Sequence, residues 1–301
     1  MIKKEGILLS FIIIILLFSL VVIFNPKDFS LNISAYSIKE LSEEDIVEVN
    51  NTQFFKDMRF SRKILGYRID SSCNDFKKNR MERAFDILKN ETLIINFVEV
   101  DTNEDIYINC KGYSENISDG YIKAGEGGAY SVVNTGKFNV IKKGKISFYN
   151  SSDKCDKPIT EIHELLHVFG FKHSEENTSI MYNVSLCEQN ITKDIIKKFI
   201  ILYTTQEIPD LGFENLSHKR GLSYTDFSVD VINRGLREAK NVSIEIDYGN
   251  SNLKIVSLGD FGIGDKKKIS ADNFRVNRNR NITLNIETIN DLNETDNTLS
   301  F

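Results

Sequence analysis

Eleven residues near the middle of the chain constrain it most: His163-Glu164-Leu165-Leu166-His167-Val168-Phe169-Gly170-Phe171-Lys172-His173. The chain has 4 histidines, and three of them fall in this window. His163 and His167 are four residues apart, so a helix stacks their imidazoles on one face, within reach of one metal ion. Glu164 follows the first of them and can touch a metal-held water without being a ligand. On a continuing helix His173 would lie roughly 9 Å beyond His167 along the axis, too far to share the ion. Gly170 removes the difficulty, because glycine can take positive φ, end the helix and let Phe171-Lys172 fold back. Ile159, Ile162, Leu166 and Phe169 form an adjacent apolar stripe that would pin the helix to a core. Three histidines leave the fourth position of a tetrahedral ion open, the mark of a catalytic zinc site. The expectation is one catalytic Zn2+ on His163, His167 and His173, with Glu164 as general base.

The chain has 301 residues, enough for two domains, and its 41% hydrophobic and 27% charged content is that of a globular protein. A net charge of -5, with no basic cluster among aromatics, argues against nucleic acid as a partner. Residues 1–6 precede an uncharged run, Ile7–Phe24, broken only by Ser10 and Ser19. As a helix this run rises roughly 27 Å, just enough to cross a hydrocarbon core. Lys3 and Lys4 before it favour a single-pass signal-anchor that leaves the rest outside; a cleaved signal peptide is the competing reading. Both export everything after Asn25. Cys73, Cys110, Cys155 and Cys187 all lie on the exported side and contain no C-x-x-C pair, which points to two disulfides rather than a zinc site. Three connectivities are open; Cys73–Cys110 with Cys155–Cys187 is the expected one, its second bridge bracketing the histidine window. Sequons at Asn90, Asn116, Asn177, Asn190, Asn241 and Asn281 also lie beyond the anchor.

Residues 25–60 read as a polar, partly acidic stalk. Residues 61–205 mix strands and helices: strands at Ile64–Ile69, Leu93–Val100, Asp105–Cys110 and Ile146–Tyr149, and a helix Asp75–Leu88 with Met81, Ala84, Phe85 and Leu88 on one face. The glycine-rich Tyr121–Asn134 reads as loop then strand. The site helix starts from Pro158, and a last helix Lys193–Tyr203 is capped by Thr192, with Ile195, Ile196, Phe199 and Ile200 as its apolar stripe. This is an α+β domain. Residues 207–301 alternate apolar and polar positions in short runs separated by turns such as Asn233-Arg234-Gly235, which predicts an antiparallel β-sandwich. His218 reads as a surface residue, and Asp291–Asn297, lacking glycine and ligand periodicity, as a solvated turn rather than a calcium loop.

The segment HELLHVFGFKHSEENTSIMY resembles the metzincin zinc peptidases, the matrixins in particular. Ser174 and Met181-Tyr182 stand where matrixins have their Ser after the third histidine and their Met-turn. The resemblance implies a metzincin-type fold, a zinc endopeptidase of protein or peptide substrates, Met181 as an apolar floor under the ligands, and an edge strand along which substrate extends. Gly127–Val133 is the candidate strand, with Gly128, Ala129, Tyr130 and Tyr182 as substrate-binding residues. Asn183 replaces the matrixins' Pro in the S1′ wall, and neither their cysteine-containing propeptide motif nor their structural-zinc residues occur. Residues 207–301 resemble the CARDB β-sandwiches of prokaryotic surface proteins, on Pro209-Asp210-Leu211, Val231–Gly235 with Ala239–Val242, and Asn293–Asn297. That implies an immunoglobulin-like spacer or a surface for a cell-surface partner. Two functions compete: a membrane-anchored zinc endopeptidase acting on extracytoplasmic proteins, and an adhesion protein whose metzincin-like domain is inactive. The intact Glu164 favours the enzyme.

Overall fold

The computed structural model describes residues 52–112, 123–149, 155–249, 253–276 and 280–301. Ile7–Phe24, residues 25–51 and the Asn116 sequon lie outside them. No helix among the described residues is long and apolar enough to cross a membrane.

The first domain is built on a six-stranded sheet. Its strands are β1 (Met58–Phe60), β2 (Ile64–Ile69), β3 (Asn96–Glu99), β4 (Ile106–Lys111), β5 (Gly125–Asn134) and β6 (Asn139–Tyr149). Its helices are α1 (Asp75–Thr92), α2 (Ile159–Val168) and α3 (Lys193–Thr204). β6 is the spine: β1 and β4 pair with it in parallel, and β5 pairs antiparallel along its opposite edge. β2 lies between β4 and β3, again in parallel. One core gathers α1 (Met81, Ala84, Phe85, Leu88), α2 (Ile159, Ile162, Leu165, Leu166) and the inward faces of β2, β4 and β6.

Several expectations shift, each for a local reason. The folded domain begins before Ser61: Gln53 is buried and β1 pairs with β6, so the stalk does not reach residue 60. Asn74 caps α1 by accepting from the Lys77 N–H, and the helix runs to Thr92 before Leu93 turns left-handed at φ 56°. The following strand therefore starts at Asn96 instead of Leu93. β5 starts at Gly125, two residues before the candidate strand Gly127–Val133, and α2 packs so closely on it that a Cβ at Gly127 would overlap the Glu164 backbone carbonyl. The buried face of α3 is Ile195, Lys198, Phe199, Leu202 and Tyr203 rather than Ile195, Ile196, Phe199 and Ile200. Lys198 turns inward because Asp57 takes its ammonium at 2.8 Å.

The second domain has two sheets, β10-β9-β12-β13 and β11-β8-β7. They comprise β7 (Leu211–Arg220), β8 (Tyr224–Asn233), β9 (Ala239–Asp247), β10 (Leu253–Phe261), β11 (Lys266–Arg275), β12 (Thr283–Glu287) and β13 (Thr298–Ser300). β7 escapes the period-two pattern because it is a polar edge strand, while β11, the other edge, alternates with Ile269 and Ala271 toward the core. Phe227, Val229, Val231, Val242, Ile244, Leu284 and Ile286 fill the space between the sheets. Asn233 is fully buried; its Oδ1 accepts from Asp210 N and Gly235 N, which shapes the Asn233-Arg234-Gly235 turn. Phe138 and Val140 of the first domain bury against Leu236, with Ile263 packed alongside. Thr135 Oγ1 donates to the Arg234 carbonyl across this junction.

Both disulfides form with the expected pairing. Cys73–Cys110 ties the start of α1 to β4, and Cys155–Cys187 brackets α2.

Candidate metal centre

α2 delivers His163, Glu164 and His167 from a wholly buried stretch. It ends as the motif requires: Gly170 takes φ 84°, and a Cβ there would overlap Met58 Sδ. The chain turns back, and His173 Nε2 comes to 3.2 Å from His163 Nε2 and 3.1 Å from His167 Nε2. Two nitrogens on one tetrahedral zinc, each about 2.05 Å from it, stand about 3.3 Å apart.

The outer nitrogens decide what these three atoms are. His163 Nδ1 sits 2.7 Å from the Ile180 carbonyl and His167 Nδ1 2.7 Å from the Phe171 carbonyl. A carbonyl only accepts, so each Nδ1 carries the proton and each Nε2 presents a lone pair inward. Burial holds all three imidazoles below the usual histidine range, His163 down to about 4, so they stay neutral near pH 7. The two fixed lone pairs of His163 and His167 point at the place where His173 Nε2 arrives, the position one cation would take. The residues present therefore fit zinc: three imidazole nitrogens arranged around one point, two of them in the tautomer that presents Nε2 as a ligand.

Glu164 is 7% exposed, with its side chain against Gly125 beneath β5. The Gly127 N–H donates to its carboxylate, while burial, the larger influence, pushes the carboxyl up to about 8. Met181 is buried in the core that also holds α2. Its carbonyl accepts from Ser174 N at 2.9 Å, which closes the loop after His173 and sets the neighbouring Ile180 carbonyl on His163. Tyr182 is half-buried and bridges to Ser174. Among the described residues β5 pairs only with β6, leaving its outer edge open; a Cβ at Gly128 would meet nothing within 4 Å, and Tyr130 is 62% exposed. His218 lies on β7, its ring 5.1 Å from that of Phe301, apart from the other histidines.

Two supports went unread in the sequence. Gln53 Nε2 donates to the Phe169 and Met58 carbonyls, Phe54 N to Gly170 O and Lys172 N to Thr52 O. Residues 52–54 thus clamp the turn between His167 and His173, and the Phe54 ring stacks 5.9 Å from that of His167. Each of these four bonds ends on a backbone carbonyl, which no side-chain pattern announces. The second is Glu161, wholly buried on α2, with Arg80 Nε at 3.1 Å and Lys77 Nζ at 3.2 Å. A carboxylate between Ile159 and Ile162 on an apolar helix face was the available signal.

Residues 59–204 match the sequence model of the Matrixin peptidase family. This part of the chain is accordingly a metallopeptidase-like domain. No curated protein matches the chain. Among solved structures, the CARDB domain of a Pyrococcus furiosus protein, in complex with di-metal ions, aligns at 22% identity over 32% of this chain and 88% of its own, with a TM-score of 0.28.

Proposed function

We propose that this chain is a membrane-anchored, zinc-dependent endopeptidase of extracytoplasmic proteins, with Glu164 as its general base. One observation carries the reading: three imidazoles, two of them locked by carbonyls with their lone pairs inward, bring a nitrogen each within 4.8 Å of one another, and the helix that bears the first two also bears Glu164. His163, His167 and His173 would hold the ion. Bound there, zinc supplies Lewis-acid activation of water and of the scissile carbonyl. Burial favours the protonated Glu164 carboxyl, whereas the charge of a bound ion would favour the carboxylate; in that form Glu164 takes the proton of the attacking water and returns it to the leaving amide nitrogen, a role worth typically 10²–10⁴-fold. Gly127 N–H and the cover of β5 hold that carboxylate away from bulk water. The open edge of β5, at Gly128, Ala129 and Tyr130, pairs with an extended substrate backbone, and Tyr182 faces its side chains. Ile7–Phe24 supplies the anchor, and two disulfides suit an oxidising exterior. The sandwich acts as spacer or as the surface for a cell-surface partner.

Glu164→Gln keeps the shape and removes the base. The variant is expected to retain zinc and lose roughly 10²–10⁴-fold in cleavage of a denatured protein. Cleavage at the parent rate would refute the assignment of the base. Zinc binding without cleavage in the parent chain would favour the inactive adhesion protein instead.

A further inference from the structure

The turn Asp291–Asn297 folds back onto the start of the second domain. There Asp291 and Asp296 bring carboxylate oxygens within 4.8 Å of each other and of Asp210. Asp210 is 4% exposed. Its Oδ2 pairs with Lys137 Nζ at 3.0 Å, but its Oδ1 is buried with no hydrogen-bond partner. Asp296 Oδ1 is likewise buried and unpartnered, and its Oδ2 faces Arg234 Nη1 at 3.6 Å. Asp291 is aimed by backbone: Leu211 N donates to its Oδ2 at 2.9 Å and Asn293 N to its Oδ1 at 3.0 Å. The next residue along the turn, Asn297, is 7% exposed and also carries a buried, unpartnered Oδ1. Gly212 lets the groups close up, since a Cβ there would stand 3.0 Å from Asp296 Oδ2.

The charges do not balance. Lys137 pairs with Asp210 and Arg234 with Asp296, while Asp291 has backbone donors alone; Arg234 also lies 3.4 Å from Glu214, which Lys266 pairs as well. Burial pushes the Asp291 and Asp296 carboxyls up, and each also feels Asp210. A buried carboxylate oxygen without a donor is costly, and a cation is the partner that answers several at once.

We propose that Asp210, Asp291 and Asp296 form a divalent-cation site for Ca2+ that pins the 291–297 turn to the first strand of the sandwich. The donors are all oxygen, which selects a hard cation over zinc. Three carboxylates held by backbone N–H groups and Lys137 suit the flexible coordination of Ca2+ better than the strict octahedron that Mg2+ demands. Because Asp210 also holds Lys137 of the first domain, an ion here braces the junction between the domains. The site shares no residue with the histidine centre.

The test is calorimetric titration of CaCl2 and MgCl2 into the full, zinc-loaded chain and its Asp296→Asn variant. The expected affinity for Ca2+ is roughly 10⁻⁴–10⁻³ M, with Mg2+ weaker, and a loss of roughly tenfold or more in the variant, because affinity follows ligand charge. Asp296 is partly exposed, so the variant is expected to fold; a melting curve checks this. Lys137→Met removes the ammonium competing for Asp210 and is expected to tighten Ca2+ binding. No Ca2+ heat at several times the upper concentration, equal binding by Asp296→Asn, or weaker binding by Lys137→Met would each overturn the proposal. Zinc content, read in every sample, keeps its failure separate from failure of the peptidase reading.

Discussion

Gln53 shows how much a single amide can set. Its side chain makes buried hydrogen bonds to Met58 and Phe169, at the edge of the turn that carries the chain from His167 to His173. Gln53→Ala leaves those backbone groups without partners, at a cost of about 1–3 kcal/mol. Thermal melts should show that loss, and competition with a chelator should show faster zinc release; an unchanged release rate would separate the clamp from the site. Glu126 gives a pH signature. Lys111 and Lys123 hold its carboxyl down at about 2, against an ordinary value of 4.5. A depressed folded value means that the contribution is complete above the unfolded value and disappears as pH falls from about 4.5 through about 2. Melting temperatures of the parent and Glu126→Gln should therefore differ at neutral pH and converge on acidification. The effect is small, because the side chain is 41% exposed.

The decisive contact between elements is α2 against β5. Gly125 and Gly127 leave the helix room to press on the strand, which puts the Gly127 N–H on Glu164. Gly127→Ala forces them apart; overpacking of this kind costs typically 1–3 kcal/mol. The variant should melt lower and lose activity by more than its folded fraction explains, whereas parent-like kinetics would show the contact to be incidental. Here the limits of reading a sequence become clear. The i, i+4 histidines, the apolar stripe of α2 and the Gly170 stop were legible, because helix geometry and glycine φ are local properties. The glycine content of β5 has a reason the local sequence does not show, a helix packed on it from far along the chain. The inward turn of Lys198 was hidden in the same way, since its partner Asp57 lies outside the pattern of its own helix.

Across the whole molecule, a chemical domain and a β-sandwich share a small apolar junction of Phe138, Val140, Leu236 and Ile263. The sequence changes periodicity near residue 206, and the two large apolar clusters lie on either side of that point. The start of the first domain was not visible in this way, because residues 52–60 are joined to it by bridges and backbone pairing rather than by a long patterned run. The carboxylates of the 291–297 turn looked solvated because their partner Asp210 comes from the far end of the same domain. The peptidase reading converges on the histidines, and metal analysis of the purified full chain tests them most directly. The parent and Glu164→Gln should each carry about one zinc per chain, and His173→Ala should carry almost none. A metal-free parent, or a His173→Ala chain with its zinc intact, would contradict the account.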